Sequence, residues 1–326
     1  MSKYQVVRYT SDFYSQWNLF VEGAKNATFM LHRDFMEYHA DRFEDFSLLF
    51  FKKNSLVSIM PLNRVNDTVF SHQGLSYGGL VLSKKSTLKD ALKTFEAILW
   101  FLKDLGIKTV ILKPVPRIYN TLPSDEIDYV LFKLKAELFR KDITTVVHQF
   151  SVSRIKSLNR QRNLKKGRDL GLVVKETDCF EDFWSQILIP NLKAKFNVSP
   201  VHSLEEITLL KKSFPNHIRQ FNAYHEDDIV AGITIFETEN VAHAQYISKH
   251  PIKNFDGGLD VILDYLINKV YKNKRFFDFG ISNEGEGQFI NDGLQSWKES
   301  FGGRSVSHDF YNINVDNCKL LENVFV

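Results

Sequence analysis

One order of predicted elements occurs twice in this chain, once in each half, and that duplication restricts the fold more than any single motif does. In the first copy, strand-like runs at Phe46 to Phe51 and Leu56 to Leu62 flank the polar turn Lys52-Lys53-Asn54-Ser55. In the second, Ile218 to Tyr224 and Ile229 to Phe236 flank His225-Glu226-Asp227-Asp228, so each copy predicts a hairpin. A further strand follows, then a helix whose apolar residues keep a 3.6-residue period. These are Leu88, Leu92, Phe95, Leu99 and Leu102 in one copy, and Leu259, Ile262, Leu263, Leu266, Ile267 and Val270 in the other. A short strand comes next (Thr109 to Leu112, Phe276 to Phe279), then a second helix and a long strand (Thr144 to Val152, Ser305 to Val315). The order β-β-β-α-β-α-β therefore appears twice. Two copies make a domain duplication, since a solenoid needs three or more short repeats.

Length and composition agree. The chain has 326 residues, of which 44% are hydrophobic and 13% aromatic, enough to fill two cores. The expected division is 1–152, a linker helix at 153–171, and 172–326. The N-terminal residues carry no apolar signal-like stretch, and no run approaches the roughly 18 apolar residues of a membrane span. Cys179 and Cys318 fall on different elements, and two free thiols in a reducing cytosol is the simplest expectation. The histidines are scattered without metal-ligand spacing, so no metal is expected.

Charge is nearly balanced overall, at a formal +3, but unevenly placed. Arg154, Lys156, Arg160, Arg162, Lys165, Lys166 and Arg168 fall in one stretch that contains no acid. Such a segment between two copies is either an anion-binding surface or a solvated linker helix. The aromatics do not interleave with these cations, which suits small-molecule phosphates better than a polynucleotide.

The second copy alone carries a glycine pair at a helix start. Strand Val241 to Ser248 runs through a short loop to Asp256-Gly257-Gly258 and the amphipathic helix. Unpaired amides at a helix N-terminus, with glycines that allow close approach, suit a pyrophosphate; equally, Asp256 caps the helix and the glycines shape a turn.

This order, with a phosphate-loop-like turn after the fourth strand, resembles the GNAT superfamily of acyl-CoA-dependent N-acyltransferases. The strings Ser71-His72-Gln73-Gly74-Leu75-Ser76-Tyr77-Gly78-Gly79-Leu80, Pro200-Val201-His202-Ser203, Ala242-His243-Ala244-Gln245-Tyr246 and Phe277-Asp278-Phe279-Gly280-Ile281-Ser282-Asn283-Glu284 narrow the resemblance. With the run from Gly293 to Gly302, they resemble tandem-GNAT, FemA/FemB-like proteins, and among these the nucleotide-sugar N-acyltransferases acting on dTDP-3-amino-3,6-dideoxyhexoses. The resemblance implies an α/β fold of two tandem GNAT-like mixed-sheet domains with flanking helices. It also implies acetyl-CoA or 3-hydroxybutanoyl-CoA as donor, a nucleotide-linked amino sugar as acceptor, a cytoplasmic homodimer, and a role in surface-polysaccharide synthesis. One departure stands out: where the superfamily's phosphate loop ends on a small residue, this chain has Asn254-Phe255-Asp256-Gly257-Gly258-Leu259, with a carboxylate in the loop.

Amide formation needs a deprotonated amine, and a base within reach contributes about 10²–10⁴-fold. Glu284, His202 and His72 are the candidate bases, each of which also suits a structural role. The backbone of Tyr246 and Ile247 is the expected oxyanion partner, and Asn254, Gly257, Gly258 and Leu259 the expected donor-binding residues. Arg160, Arg162 and Asn163 are placed near phosphates, and Tyr77 and Gln245, with His72, near sugar or base. Asp278 suits either an amine-binding or a buried structural role, and Trp297 sits at core spacing. Two other functions remain open: a FemA-type aminoacyl-tRNA-dependent transferase, and a non-catalytic binding protein on the same fold.

Overall fold

The computed structural model describes residues 4–150, 157–251 and 255–325. The chain divides into two compact units, Met1–Asp142 with Ser307–Val326, and Ile143–Val306. The last segment thus belongs with the first unit, because Tyr311 to Asn314 pair antiparallel with Leu112 to Thr109 and Ile313, Val315, Cys318 and Leu321 fill its core. No helix among the described residues is long and apolar enough to cross a membrane.

In the first unit the predicted hairpin forms from Leu48–Lys52 and Ser55–Met60, and Tyr4–Arg8 adds to its edge. Helix Leu88–Asp104 buries Leu92, Phe95, Leu99 and Leu102 against the sheet. Its start is closed by its own sequence: the Thr87 side chain accepts from the Asp90 amide while the Asp90 carboxylate accepts from the Thr87 amide, so amides that could face an anion are already used. Strands Thr68–Phe70 and Thr109–Leu112 run parallel. Beyond their last pair the chain keeps them joined, as Ser71 N donates to Ile111 O at 2.8 Å and Gly78 N to Lys113 O at 2.8 Å.

The second unit repeats this plan with one difference that matters. Strands Val173–Thr177, Ile218–His225, Asp228–Glu237 and Val241–Lys249 form an antiparallel run in that order. Strand Phe276–Ile281 then pairs parallel to Val241–Lys249, but only at Val241↔Phe276, Ala242↔Phe277 and His243↔Asp278. On its far side Phe276–Ile281 meets the C-terminal part of strand Glu137–His148. Helix Gly258–Tyr265, continued by a wider turn over Leu266–Val270, packs Ile262, Leu263, Leu266 and Ile267 on one face of this sheet. Phe183, Trp184 and Ile187, from the helical stretch that starts at Glu181–Phe183, are fully buried, and Phe183 lies where a Cβ on Gly232 would collide with it.

The expected hairpins, helices and short strands are all present. The opening strands Tyr4–Arg8 and Val173–Thr177 were not expected, because edge strands of five mixed residues give no alternating apolar signal. The long strand of the first half starts at Glu137, ahead of the apolar run that predicted it.

Candidate active site

Both strands bulge where they part. Opposite Thr234 and Ile235 the strand Val241–Lys249 presents Tyr246 and Ala244, so Gln245 is an extra residue. On the neighbouring strand, Asp278 and Ile281 face Val146 and Thr144, so Phe279 and Gly280 stand against the single residue Thr145, and Gly280 takes φ +76°. A bulge bends its strand and re-aims side chains, and an αL residue within it favours glycine. Two bulges at one level turn the strands away from each other, which leaves one edge of Val241–Lys249 without its neighbour's backbone past His243.

The gap holds a cavity of 310 Å³. Gln245, Ile247 and Phe279 line it from the two strands, Leu259 from the first turn of helix Gly258–Tyr265, and Trp297 and Lys298 from helix Asp292–Glu299. Trp297 is partly buried and packs against the core, with its ring 6.0 Å from Phe279 and 5.1 Å from Phe301, and also lines the cavity. The Lys298 ammonium is buried and donates to the carbonyls of Gly280 (2.8 Å) and Ile281 (2.7 Å), holding the departing strand; burial pushes its pKa down to about 8, against the opposing pull of Asp278.

At the last paired position stands a histidine–carboxylate pair. His243 Nδ1 lies 2.9 Å from Asp278 Oδ2. Asp278 is fully buried, and its other oxygen accepts from the Thr144 hydroxyl and from the Gly280 amide at 2.9 Å. The carboxylate is thus locked, and it fixes His243 with Nδ1 as the donor and Nε2 available to accept a proton. His243 retains 19% side-chain exposure. Sequence reasoning named Asp278 but gave His243 no role, because only the register His243↔Asp278 reveals the pair.

The expected bases sit elsewhere. His202 is buried, with both its main-chain N (3.1 Å) and Nδ1 (2.7 Å) on the Tyr246 hydroxyl, while Trp184 Nε1 donates to its carbonyl at 3.2 Å. It braces a loop and does not line the cavity. The Tyr246 ring shares that buried site beneath Trp184, so only its backbone belongs to the parting strand. Glu284 is exposed in the short hairpin Asn283–Glu284 and Phe289–Ile290, where it accepts from Asn291, the residue that caps helix Asp292–Glu299. His72 belongs to the first unit, 3% exposed among His39 and Phe43; burial, helped by the neighbouring His39, pushes its pKa down to about 4. Tyr77, expected to offer an open ring, is a core residue of that unit, with its hydroxyl on Thr28 Oγ1 at 3.1 Å and its ring against Tyr119.

The basic segment forms helix Leu158–Asp169, and three of its cations face acids on, or just ahead of, the glycine-led helix. Arg160 meets Asp260 at 3.0 Å, Lys166 meets Asp256 at 3.1 Å, and Arg168 meets Asp264 at 2.9 Å. The acids recur every fourth residue, Asp260 and Asp264 on the helix and Asp256 just ahead of its N-cap Gly257, a spacing legible in the sequence. Arg160 is thereby committed to an ion pair, and the carbonyl of Asn163 lies 2.2 Å from where a Cβ on Gly257 would stand. Gly257, at φ +94°, and Gly258 are both buried. Arg162 is exposed and forms no ion pair among the described residues. Arg154, Lys156 and Asn254 lie outside the described residues. Of the expected site residues, the structure gathers Gln245, Ile247 and Leu259 around one cavity.

No family model and no curated protein matches the chain, but solved structures match its fold. FemX superposes with a TM-score of 0.62 at 11% identity, covering 98% of this chain and 99% of that one. L-PGS from Bacillus licheniformis gives 0.54 at 12%, over 80% and 82%. A tandem GNAT protein from the clavulanic acid biosynthesis pathway gives 0.50 at 11%, over 96% and 98%. The fold is the tandem GNAT-like α/β fold, with a mixed sheet and flanking helices.

Proposed function

We propose that the chain is an N-acyltransferase whose donor is a short acyl-CoA, acetyl or 3-hydroxybutanoyl, and whose acceptor is the amine of a dTDP-linked 3-amino-3,6-dideoxyhexose. The observation that carries the acyl-transfer reading is the doubly bulged parting of Val241–Lys249 from Phe276–Ile281 just beyond the last register pair, His243↔Asp278, with a cavity in the gap lined by Gln245, Ile247 and Phe279. The sugar acceptor is supported by the sequence resemblance.

The residues present fit a CoA donor. Ile247, Leu259, Phe279 and Trp297 supply apolar walls for an aliphatic arm, and the open strand edge and Gln245 supply partners for its amides. The first amides of helix Gly258–Tyr265 lack intrahelical partners and suit a diphosphate, and Lys166 offsets the charge of Asp256 there. Bound there, the donor would supply an electrophilic thioester carbonyl. His243 Nε2 would take the proton from the attacking amine, with Asp278 stabilising the imidazolium, and return it to the thiolate released as the thioester C–S bond breaks. Main-chain amides of Val241–Lys249 beyond His243, on the edge that Phe276–Ile281 leaves, would stabilise the developing oxyanion.

Purified protein incubated with acetyl-CoA or 3-hydroxybutanoyl-CoA and the dTDP-aminosugar should release free thiol and yield the N-acylated sugar by mass. No thiol release with either donor overturns the reading; salt-sensitive tRNA binding without CoA binding would point instead to aminoacyl-tRNA-dependent transfer.

A further inference from the structure

Helix Asp292–Glu299 meets the bulge of Phe276–Ile281 with two polar side chains one turn apart, Gln295 and Lys298. We infer that Lys298 is a positioning residue for His243, acting through the bulged backbone at Gly280. The inference rests on the acyl-transfer reading only in taking His243 as the base.

The first observation is what the lysine holds. Lys298 is 3% exposed, and its ammonium donates to the successive carbonyls of Gly280 and Ile281. In a regular strand successive carbonyls point to opposite sides, so one cation collects both only where the backbone turns, as it does at Gly280 with φ +76°. The ammonium therefore fixes the bulge itself. Burying a cation carries a desolvation penalty, and a methionine of similar length would fill the same space without it. Packing alone does not account for the lysine.

The same helix holds the other side of the bulge. Gln295, three residues before Lys298 and on the same helix face, accepts from the Thr145 hydroxyl at 3.1 Å. Thr145 is the residue that stands alone against Phe279 and Gly280, so both strands at the bulge are tied to one helix.

From Gly280 the contacts run on to the imidazole. The Gly280 amide donates to Asp278 Oδ1 at 2.9 Å, and Asp278 Oδ2 meets His243 Nδ1 at 2.9 Å. A Cβ on Gly280 would stand 3.4 Å from His243 Cε1, the ring carbon between the two nitrogens, so the Gly280 backbone also abuts the ring edge. Moving Gly280 thus disturbs both the carboxylate that orients the ring and the surface beside it.

Lys298→Met removes the ammonium and keeps the bulk, and two readouts test it. Long-range proton–nitrogen correlation spectra of the ligand-free full chain, isotope-labelled at histidine, report which ring nitrogen of His243 carries the proton, with His243→Gln assigning the signal. Wild type should show the Nδ1–H form, and Lys298→Met a mixture with the Nε2–H form. In thiol-release assays Lys298→Met should lose about 10²-fold in kcat with KM for the acyl-CoA within a few-fold of wild type, the split expected of a misplaced base. Lys298→Arg, which keeps donors for both carbonyls, should recover most of that loss. If Lys298→Met unfolds, Lys298→Gln, which retains an amide donor for one carbonyl, should show the same changes at smaller size. A wild-type tautomer in Lys298→Met, or in Lys298→Gln where the first unfolds, overturns the inference. The spectra need no substrate, so a tautomer change in a chain that transfers no acyl group would count against the proposed function alone.

Discussion

At the residue scale, two histidines of the second unit have opposite surroundings. His243 has one nitrogen held by Asp278 and partial access to solvent, whereas the main-chain N and Nδ1 of His202 both meet the Tyr246 hydroxyl within the core. His243→Gln should lower kcat by about 10²–10⁴-fold with the melting temperature nearly unchanged, measured by thiol release and thermal unfolding. His202→Phe should show the reverse, losing about 1–3 kcal/mol of stability by removing the buried Nδ1 contact to the Tyr246 hydroxyl, with kcat within a few-fold of wild type. Equal losses of activity in the two would remove the distinction.

At the element scale, the glycine-led helix and the basic helix behave as one piece. Gly257 has a φ that only glycine adopts freely, and the backbone of Asn163 and Gly167 fills the space where a side chain would begin. Gly257→Ala should therefore cost about 1–3 kcal/mol, read as a lower urea midpoint, and should weaken acyl-CoA binding because the first turn is displaced with it. Much of this element pairing was legible, since helix period, the glycine pair and the acidic stripe are all local patterns. The parting of the strands was not. It depends on bulges at Gln245 and Gly280, and a bulge is a mismatch between two strands that neither strand records alone. For the same reason His243 and Asp278 stayed unconnected, while Glu284 drew attention as an acid in a polar loop when its contact is the cap of the next helix.

At the scale of the whole molecule, duplication has left two units with different uses for one plan. The first joins its equivalent strands through Ser71 and Gly78 and caps its helix with Thr87, while the second keeps strands and helix start apart. The first unit also carries an acid-sensitive core group. His72 has a folded pKa of about 4, below its ordinary 6.5, so the unfolded chain binds a proton first as pH falls. Stability should be complete above pH 6.5 and should fall between 6.5 and 4, by roughly 3 kcal/mol. Urea titrations across that window should show the fall in wild type and a flatter profile in His72→Asn, which tolerates the φ of +68° found there. A profile identical in the two proteins would exclude His72 as the source.

A crystal grown with a non-reactive CoA analogue tests most directly whether the gap between Val241–Lys249 and Phe276–Ile281 receives the acyl donor. A pantetheine arm is expected between these strands beside Gln245 and Trp297, with its diphosphate at the first turn after Gly257. An analogue bound at any other place, with the gap still lined only by protein, would contradict it.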